Sequence, residues 1–152
     1  MNKTHLKMVT ILSWSSVIFW MAIIFWFSDQ PATASNQLST GIIDQLFHIF
    51  NIAKADFGSL YNTLNFIIRK QAHFFVYLVL GILIINAFFV SDIRFDHAKL
   101  MSIILGIMYA ASDEFHQIYV IGRSGQLTDV LIDSLGVLCG IYIYCYLMKR
   151  KS

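Results

Sequence analysis

Leu100-Met101-Ser102-Ile103-Ile104-Leu105-Gly106-Ile107-Met108-Tyr109-Ala110-Ala111-Ser112 runs directly into Asp113-Glu114-Phe115-His116-Gln117, and a short apolar stretch later comes Gly122-Arg123. The first part is long and apolar enough to sit in lipid, and the second carries acid and imidazole at its far end. Ionisable side chains in a membrane segment are costly unless they face protein or trapped water, so they mark a candidate site. The fold then depends on what else gathers around Asp113 and Glu114.

The rest of the chain has the same character. Of 152 residues, 57% are hydrophobic and 13% charged, with a single proline and a net charge of +2. That apolar fraction exceeds what a soluble domain of this length needs for a core, and it falls in long blocks, so an integral membrane protein is expected. The positive charges are scattered and form no basic stripe, which argues against nucleic acid as a partner. Cys139 and Cys145 share one apolar block at a spacing that suits neither a disulfide framework nor a metal knuckle, and both read as packing residues.

Four apolar blocks predict an all-α bundle of four transmembrane helices in a single domain over residues 1–152, with spans at about 8–27, 72–90, 100–121 and 130–148. The first block, preceded by Lys3 and Lys7 and followed by Ala32-Thr33-Ala34, has features of a cleaved signal. Its length and its Trp14, Trp20 and Trp26 favour a retained helix. Lys3, Lys7, Arg94, Lys99, Lys149, Arg150 and Lys151 fall on one side of the bilayer if the N-terminus is inside, leaving Lys54, Arg69, Lys70 and Arg123 on the other. The positive-inside rule therefore predicts a multi-pass protein of the bacterial cell membrane with both termini cytoplasmic. Between the first two spans, Ile42, Ile43, Leu46, Phe47, Ile49, Phe50 and Ala53 recur at helical spacing opposite Asp44, Gln45, His48 and Asn51. An external amphipathic helix over about 40–53 is expected, on the outer leaflet or as a lid. A second pattern, Leu60, Leu64, Ile67 and Ile68, leads into the second span.

Depth brings the polar groups together. Counting from the cytoplasmic end of each span at about 1.5 Å per residue, His73 falls near the outer edge of the hydrocarbon. Asp113, Glu114 and Asp133 fall in nearly the same layer, about 20 Å up. Helical faces agree: Arg69, His73 and Tyr77 share one stripe, with Lys70 and Gly81 beside it. Tyr109, Asp113 and His116 or Gln117 share another. Asp129, Asp133, Gly136 and Gly140 form a third line, whose glycines let a neighbouring helix approach closely.

Plainer roles compete for several of these residues. Asp113 and Glu114 could form a structural ion pair with Arg69, Lys70 or Arg123, though there are more acids and imidazoles here than a clamp requires. Asp129 could cap the last span and Arg123 could snorkel to headgroups, whereas Asp133 lies too deep for a capping role. Gly122 and Gly125 suggest a tight turn around Arg123. Gln30, in Ser28-Asp29-Gln30, lies at the outer end of the first span. His73, Asp113, Glu114, His116, Asp129 and Asp133 include suitable metal ligands, but no close-spaced ligand motif is present, so no metal or other cofactor is expected.

Phe27-Ser28-Asp29-Gln30, Arg69-Lys70-Gln71-Ala72-His73-Phe74 with Tyr77 and Gly81, and Ser112-Asp113-Glu114-Phe115-His116-Gln117 continuing to Gly122-Arg123, Asp129, Asp133 and Gly136 resemble the VanZ-like family of small bacterial membrane proteins. The resemblance implies a membrane protein of the cell envelope. The founding member is associated with low-level resistance to teicoplanin-type glycopeptides, and no settled activity carries over.

The expected function is a pocket, open to the exterior, for the headgroup of an envelope lipid or a lipid-linked cell-wall intermediate. Glu114, His73, Asp113 and Asp133 are the candidate acid–base groups. Arg69, Lys70, Tyr77, His116, Gln117, Arg123, Asp129 and Gln30 are the candidate binding groups. A small proton-coupled exporter acting as a homodimer is the alternative, and a non-catalytic scaffold subunit a third. The cluster's place toward one leaflet and its shared cations weigh against transport.

Overall fold

The computed structural model describes residues 3–50 and 58–150. The predicted roles of Asn51, Ala53, Lys54 and Lys151 lie outside them. The described chain is all α, in five helices: α1 (Lys3–Ser28), α2 (Ala32–Ile49), α3 (Gly58–Val90), α4 (Phe95–Gln117) and α5 (Leu127–Lys149). Among the described residues, α1 from Thr4, α3 and α5 are long and apolar enough to cross a membrane. The fourth expected span, α4, does not meet that standard, because Asp96, Lys99, Asp113 and Glu114 dilute its apolar run. It ends at Gln117 rather than near Ile121, closed by turn bonds from Ile118 N–H to Phe115 C=O and from Tyr119 N–H to His116 C=O.

The register of side-chain contacts fixes the helix directions. Along α1 and α3, Thr10 reaches the Val90 carbonyl, Asn86 donates to Ser13, and Trp20 donates to the Val76 carbonyl. Rising numbers on one helix meet falling numbers on the other, so α1 and α3 are antiparallel. Along α3 and α5 both numbers rise: Lys70 meets Asp129, His73 meets Asp133, and Phe74 and Leu78 lie against Gly136 and Gly140. These two helices are therefore parallel. The intervening α4 must return over the full height between them, and both ends of the described chain come to the same end of the bundle.

Close approach sets the α3–α5 seam. A Cβ on Gly136 would run into the backbone of Phe74 and lie 3.1 Å from Leu78 N, and one on Gly140 would run into the Leu78 carbonyl. The expected glycine groove is present, with α3 as the helix that enters it. Around it Tyr77, Leu80, Ile84, Ile85, Ala110, Val137 and Ile141 form the buried core. Farther from the site, Tyr144 donates to Asn86, which donates to Ser13, a polar link across three helices of the kind that ties membrane bundles together. Large apolar side chains such as Ile11, Phe19, Trp26, Phe75, Met108 and Tyr142 point outward, more than a water-facing surface carries. Cys145 is buried as expected, but Cys139 is exposed on this outer apolar surface.

In the region between the first two expected spans, helix α2 begins at Ala32, earlier than the pattern suggested, just after Pro31, whose fixed φ suits the entry to a helix. Ser39, Ile43 and Phe47 are buried toward α3, where Ser39 bonds Asn65 and Tyr61 donates to Asp44. Leu38, Ile42, Leu46 and Ile49 form a second apolar edge that stays exposed. At the other end of its sequence pattern, α3 runs unbroken for 33 residues, about 50 Å, because the Leu60-to-Ile68 pattern continues into the apolar block.

Candidate functional site

Three of the polar side chains from separate helices lie close together. One ligand atom from each of His73 on α3, Glu114 on α4 and Asp133 on α5 lie within 4.8 Å of one another. His73 Nδ1 is 3.2 Å from Asp133 Oδ1, and the Asp133 side chain has no exposed surface. Glu114 is 3% exposed and held at both oxygens. Gln117 Nε2 donates to Oε1 at 3.0 Å, and the backbone N–H of Gln126, just before α5, donates to Oε2 at 3.0 Å. Asp113, one residue earlier, is also buried, and its Oδ2 accepts from Gln117 Nε2 at a long 3.5 Å.

Among the described residues, the buried Tyr77 Oη, Asp113 Oδ1, Asp133 Oδ2 and, on α1, Ser28 Oγ make no hydrogen bond. A buried polar atom without a partner is unfavourable and calls for a reason. Beside them lies a cavity of about 240 Å³ between α1, α2, α3 and α4. Its walls are apolar, from Ile24, Phe27, Leu38, Ile42, Ile68 and Val76, while Arg69, His73, Tyr77, Asp113, Gln117 and Arg123 contribute its polar groups. It is an amphiphilic space.

The cations divide into different roles. Lys70 is paired with Asp129, so neither stands free at the site, and Asp129 lies in the first turn of α5, where a carboxylate suits the helix dipole. The N-cap is Gln126, whose own side chain makes no cap bond. Arg123 is a strut rather than a snorkelling side chain. Its Nε donates to the Gln30 carbonyl at 2.8 Å, Nη2 to the Phe27 carbonyl at 3.0 Å, and Nη1 to Gln117 Oε1 at 3.1 Å. Burial lowers the Arg123 pKa from its ordinary value and Arg69 pushes the same way, while Asp113 and Glu114 act in the opposite direction. Among the described residues, Arg69 lines the cavity with a single 3.4 Å bond to Asn36 Oδ1, which makes it the least committed of the described cations there.

The loop that carries Arg123 holds the α1–α2 turn in place. Gly122 takes a positive φ of 75°, and the Ala32 N–H donates to the neighbouring Ile121 carbonyl at 3.2 Å. A Cβ on Gly125 would meet the Glu114 carbonyl at 2.5 Å, so the loop can press on the end of α4 only with glycine there. The tight turn expected around Arg123 is present.

Two expected site residues lie differently. His116 turns toward α1, with its Nε2 3.7 Å from Asp29 Oδ1 and its ring 4.7 Å from that of Phe25. Gln117 is the residue that enters the network, joining Glu114 to Arg123. Gln30 lines the cavity, but its side-chain amide donates to the Trp26 carbonyl. Sequence reasoning did not single out Ser39, Asn36 and Asn65, which form a polar link from α2 to α3 beside Arg69. Their spacing along the two helices was the available signal.

No curated protein and no solved structure matches the chain. The VanZ/LLP1 family model matches residues 13–149, which takes in α1 from residue 13, the whole of α2 to α5 and every polar residue of the cluster. By that match the chain belongs to the VanZ/LLP1 family.

Proposed function

We propose that this is a four-span membrane protein whose cavity takes the anionic headgroup of an envelope lipid, or of a lipid-linked cell-wall intermediate, from the outer leaflet. The observation that carries the reading is the amphiphilic cavity itself: apolar walls suited to acyl chain, with Arg69, His73, Tyr77 and Asp113 gathered among them. A headgroup has a charged phosphate, polar atoms and an attached apolar chain, and each has a counterpart here.

The return of α4 between parallel α3 and α5 supports its crossing the bilayer despite its polar end. Its Asp113 and Glu114 face protein rather than lipid, which removes the main objection to burying them. Lys7, Arg94, Lys99, Lys149 and Arg150 lie at one end of the bundle, which the positive-inside rule makes cytoplasmic. The cavity end is then exterior, and the exposed edge of α2 (Leu38, Ile42, Leu46, Ile49) rests in the outer leaflet beside the cavity.

Within the site Arg69 holds the phosphate, and the unpartnered Tyr77 hydroxyl and Asp113 oxygen take polar headgroup atoms. Arg123, Gln117 and the Lys70–Asp129 pair keep the walls in position. Where chemistry follows binding, the class is transfer or hydrolysis at the headgroup, with His73 or Glu114 accepting the proton and Asp133 orienting His73. Teicoplanin-type drugs act at the same membrane face, so altered presentation of wall precursors would blunt them.

The test places a photo-crosslinking amino acid at Ile42, on the cavity wall, and analyses adducts by mass after irradiation in cell membranes. Phosphorus-containing lipid adducts, sharply reduced by Arg69→Ala, are expected. Equal yields in both proteins would refute the reading, and proton-driven drug efflux from reconstituted vesicles, lost on Glu114→Gln, would replace it with transport.

A further inference from the structure

We infer that His73, Glu114 and Asp133 hold a divalent transition-metal ion. Ligand geometry is the first support. Tetrahedral ligands at about 2.0–2.1 Å from zinc stand roughly 3.3 Å apart. His73 Nδ1 and Asp133 Oδ1 are already 3.2 Å apart, and the whole trio spans no more than 4.8 Å. Closing it onto one ion needs side-chain shifts of roughly 1–1.5 Å.

The second support is independent of spacing. Asp133 is wholly buried and its Oδ2 has no hydrogen-bond donor, although the Oδ1 of the same carboxylate already faces His73. A carboxylate oxygen removed from water and offered no donor is a ready metal ligand. Glu114 keeps lone pairs beyond those given to Gln117 and Gln126, and these two donors fix its carboxylate as ligand-orienting partners do at metal sites.

Charge points the same way. As metal ligands, a neutral imidazole and two carboxylates would bring two negative charges, which a divalent ion balances. The imidazole nitrogen favours zinc or a related transition metal over magnesium or calcium, which prefer all-oxygen sites. The ligands come from three separate helices, so no sequence motif announces them. Resting on the headgroup reading, the ion would also give an anionic headgroup a positive neighbour where buried carboxylates would otherwise repel it, and His73, Glu114 and Asp133 then serve as ligands rather than as proton acceptor and orienting partner.

The experiment uses the full chain in mild detergent, stripped with chelator, and titrates it with Zn²⁺ alone by calorimetry, with Co²⁺ absorption as a second readout of ligand geometry. One Zn²⁺ per chain is expected, unaffected by excess Mg²⁺ or by the exposed-site control His97→Ala. His73→Ala and Asp133→Asn should each weaken binding by about 10- to 100-fold or more. Zn²⁺ should raise the melting temperature of the parent but not of the variants. Lack of stoichiometric binding in the parent protein overturns the inference, as does binding that survives the double substitution or disappears with His97→Ala. Co-purified lipid is assayed before and after chelation. Lipid retained by a protein that binds no Zn²⁺ would reject the metal and leave the headgroup reading standing.

Discussion

Gly136→Ala tests the link between the α3–α5 seam and the site one turn above it. The added Cβ would sit 3.1 Å from Leu78 N and 3.2 Å from the Phe74 carbonyl carbon, against an ordinary contact of about 3.5–4.0 Å. Both atoms are backbone and cannot rotate away, so α5 must move off α3 by roughly 0.5–1 Å. Overpacking of this kind costs about 1–3 kcal/mol, and replacing a mid-helix glycine returns up to about 1 kcal/mol of helix propensity. A net loss of about 1–2 kcal/mol follows, roughly 5- to 30-fold in the folding equilibrium. Because Asp133 lies one turn before Gly136 and His73 directly precedes Phe74, the same shift stretches the 3.2 Å His73–Asp133 contact past hydrogen-bond range. Reversible unfolding in mixed micelles measures the stability, and retention of co-purified lipid measures the site. Gly41→Ala on α2 is the control, since nothing lies within 4 Å of its added carbon. If Gly136→Ala unfolds like the parent and keeps its lipid, the close seam does not hold the site as argued.

Lys70→Ala and Asp129→Asn should each destabilise the protein by about 1–3 kcal/mol, because side chains only 18% and 12% exposed leave a poorly solvated charge behind. A double-mutant cycle in the same micelles should then show less than the sum. Arg123→Lys should act nearly as severely as Arg123→Ala in melting experiments, since an ammonium cannot reach the Gln30 and Phe27 carbonyls and Gln117 together. Full stability in the lysine variant would return Arg123 to a simple charge role. Tyr109→Phe removes the 2.6 Å bond to the Met21 carbonyl and should cost about 1 kcal/mol by the same unfolding assay. A fluorescent protein fused after the C-terminus should light up if that end is cytoplasmic, and a dark fusion with normal expression would reverse the proposed topology.

The apolar blocks at 8–27, 72–90 and 130–148 were legible because membrane helices announce themselves by length and composition. The common depth of His73, Glu114 and Asp133 was legible from the rise per residue alone, and the three helices bring them within 4.8 Å. Rotation about a helix axis was less legible. His116 and Gln117 differ by about 100° of helix turn, and only the packing of α1 decides that the first faces Asp29 and the second the network. The partners of Lys70 and Arg123 were hidden for another reason. Arg123 binds main-chain carbonyls of a turn nearly a hundred positions away, and carbonyls carry no sequence signature. The block at 100–121 was also read as a span, but the polar end of α4 keeps that helix below the apolar standard the other three meet.

Native mass spectrometry of gently extracted protein tests the central claim most directly, that the recess beside His73, Arg69 and Asp113 receives a lipid headgroup. One mass increment per chain, identified on fragmentation as a phosphate-bearing envelope lipid and lost in Arg69→Ala, is the result predicted. A bare chain, or a lipid load unchanged by Arg69→Ala, would contradict it.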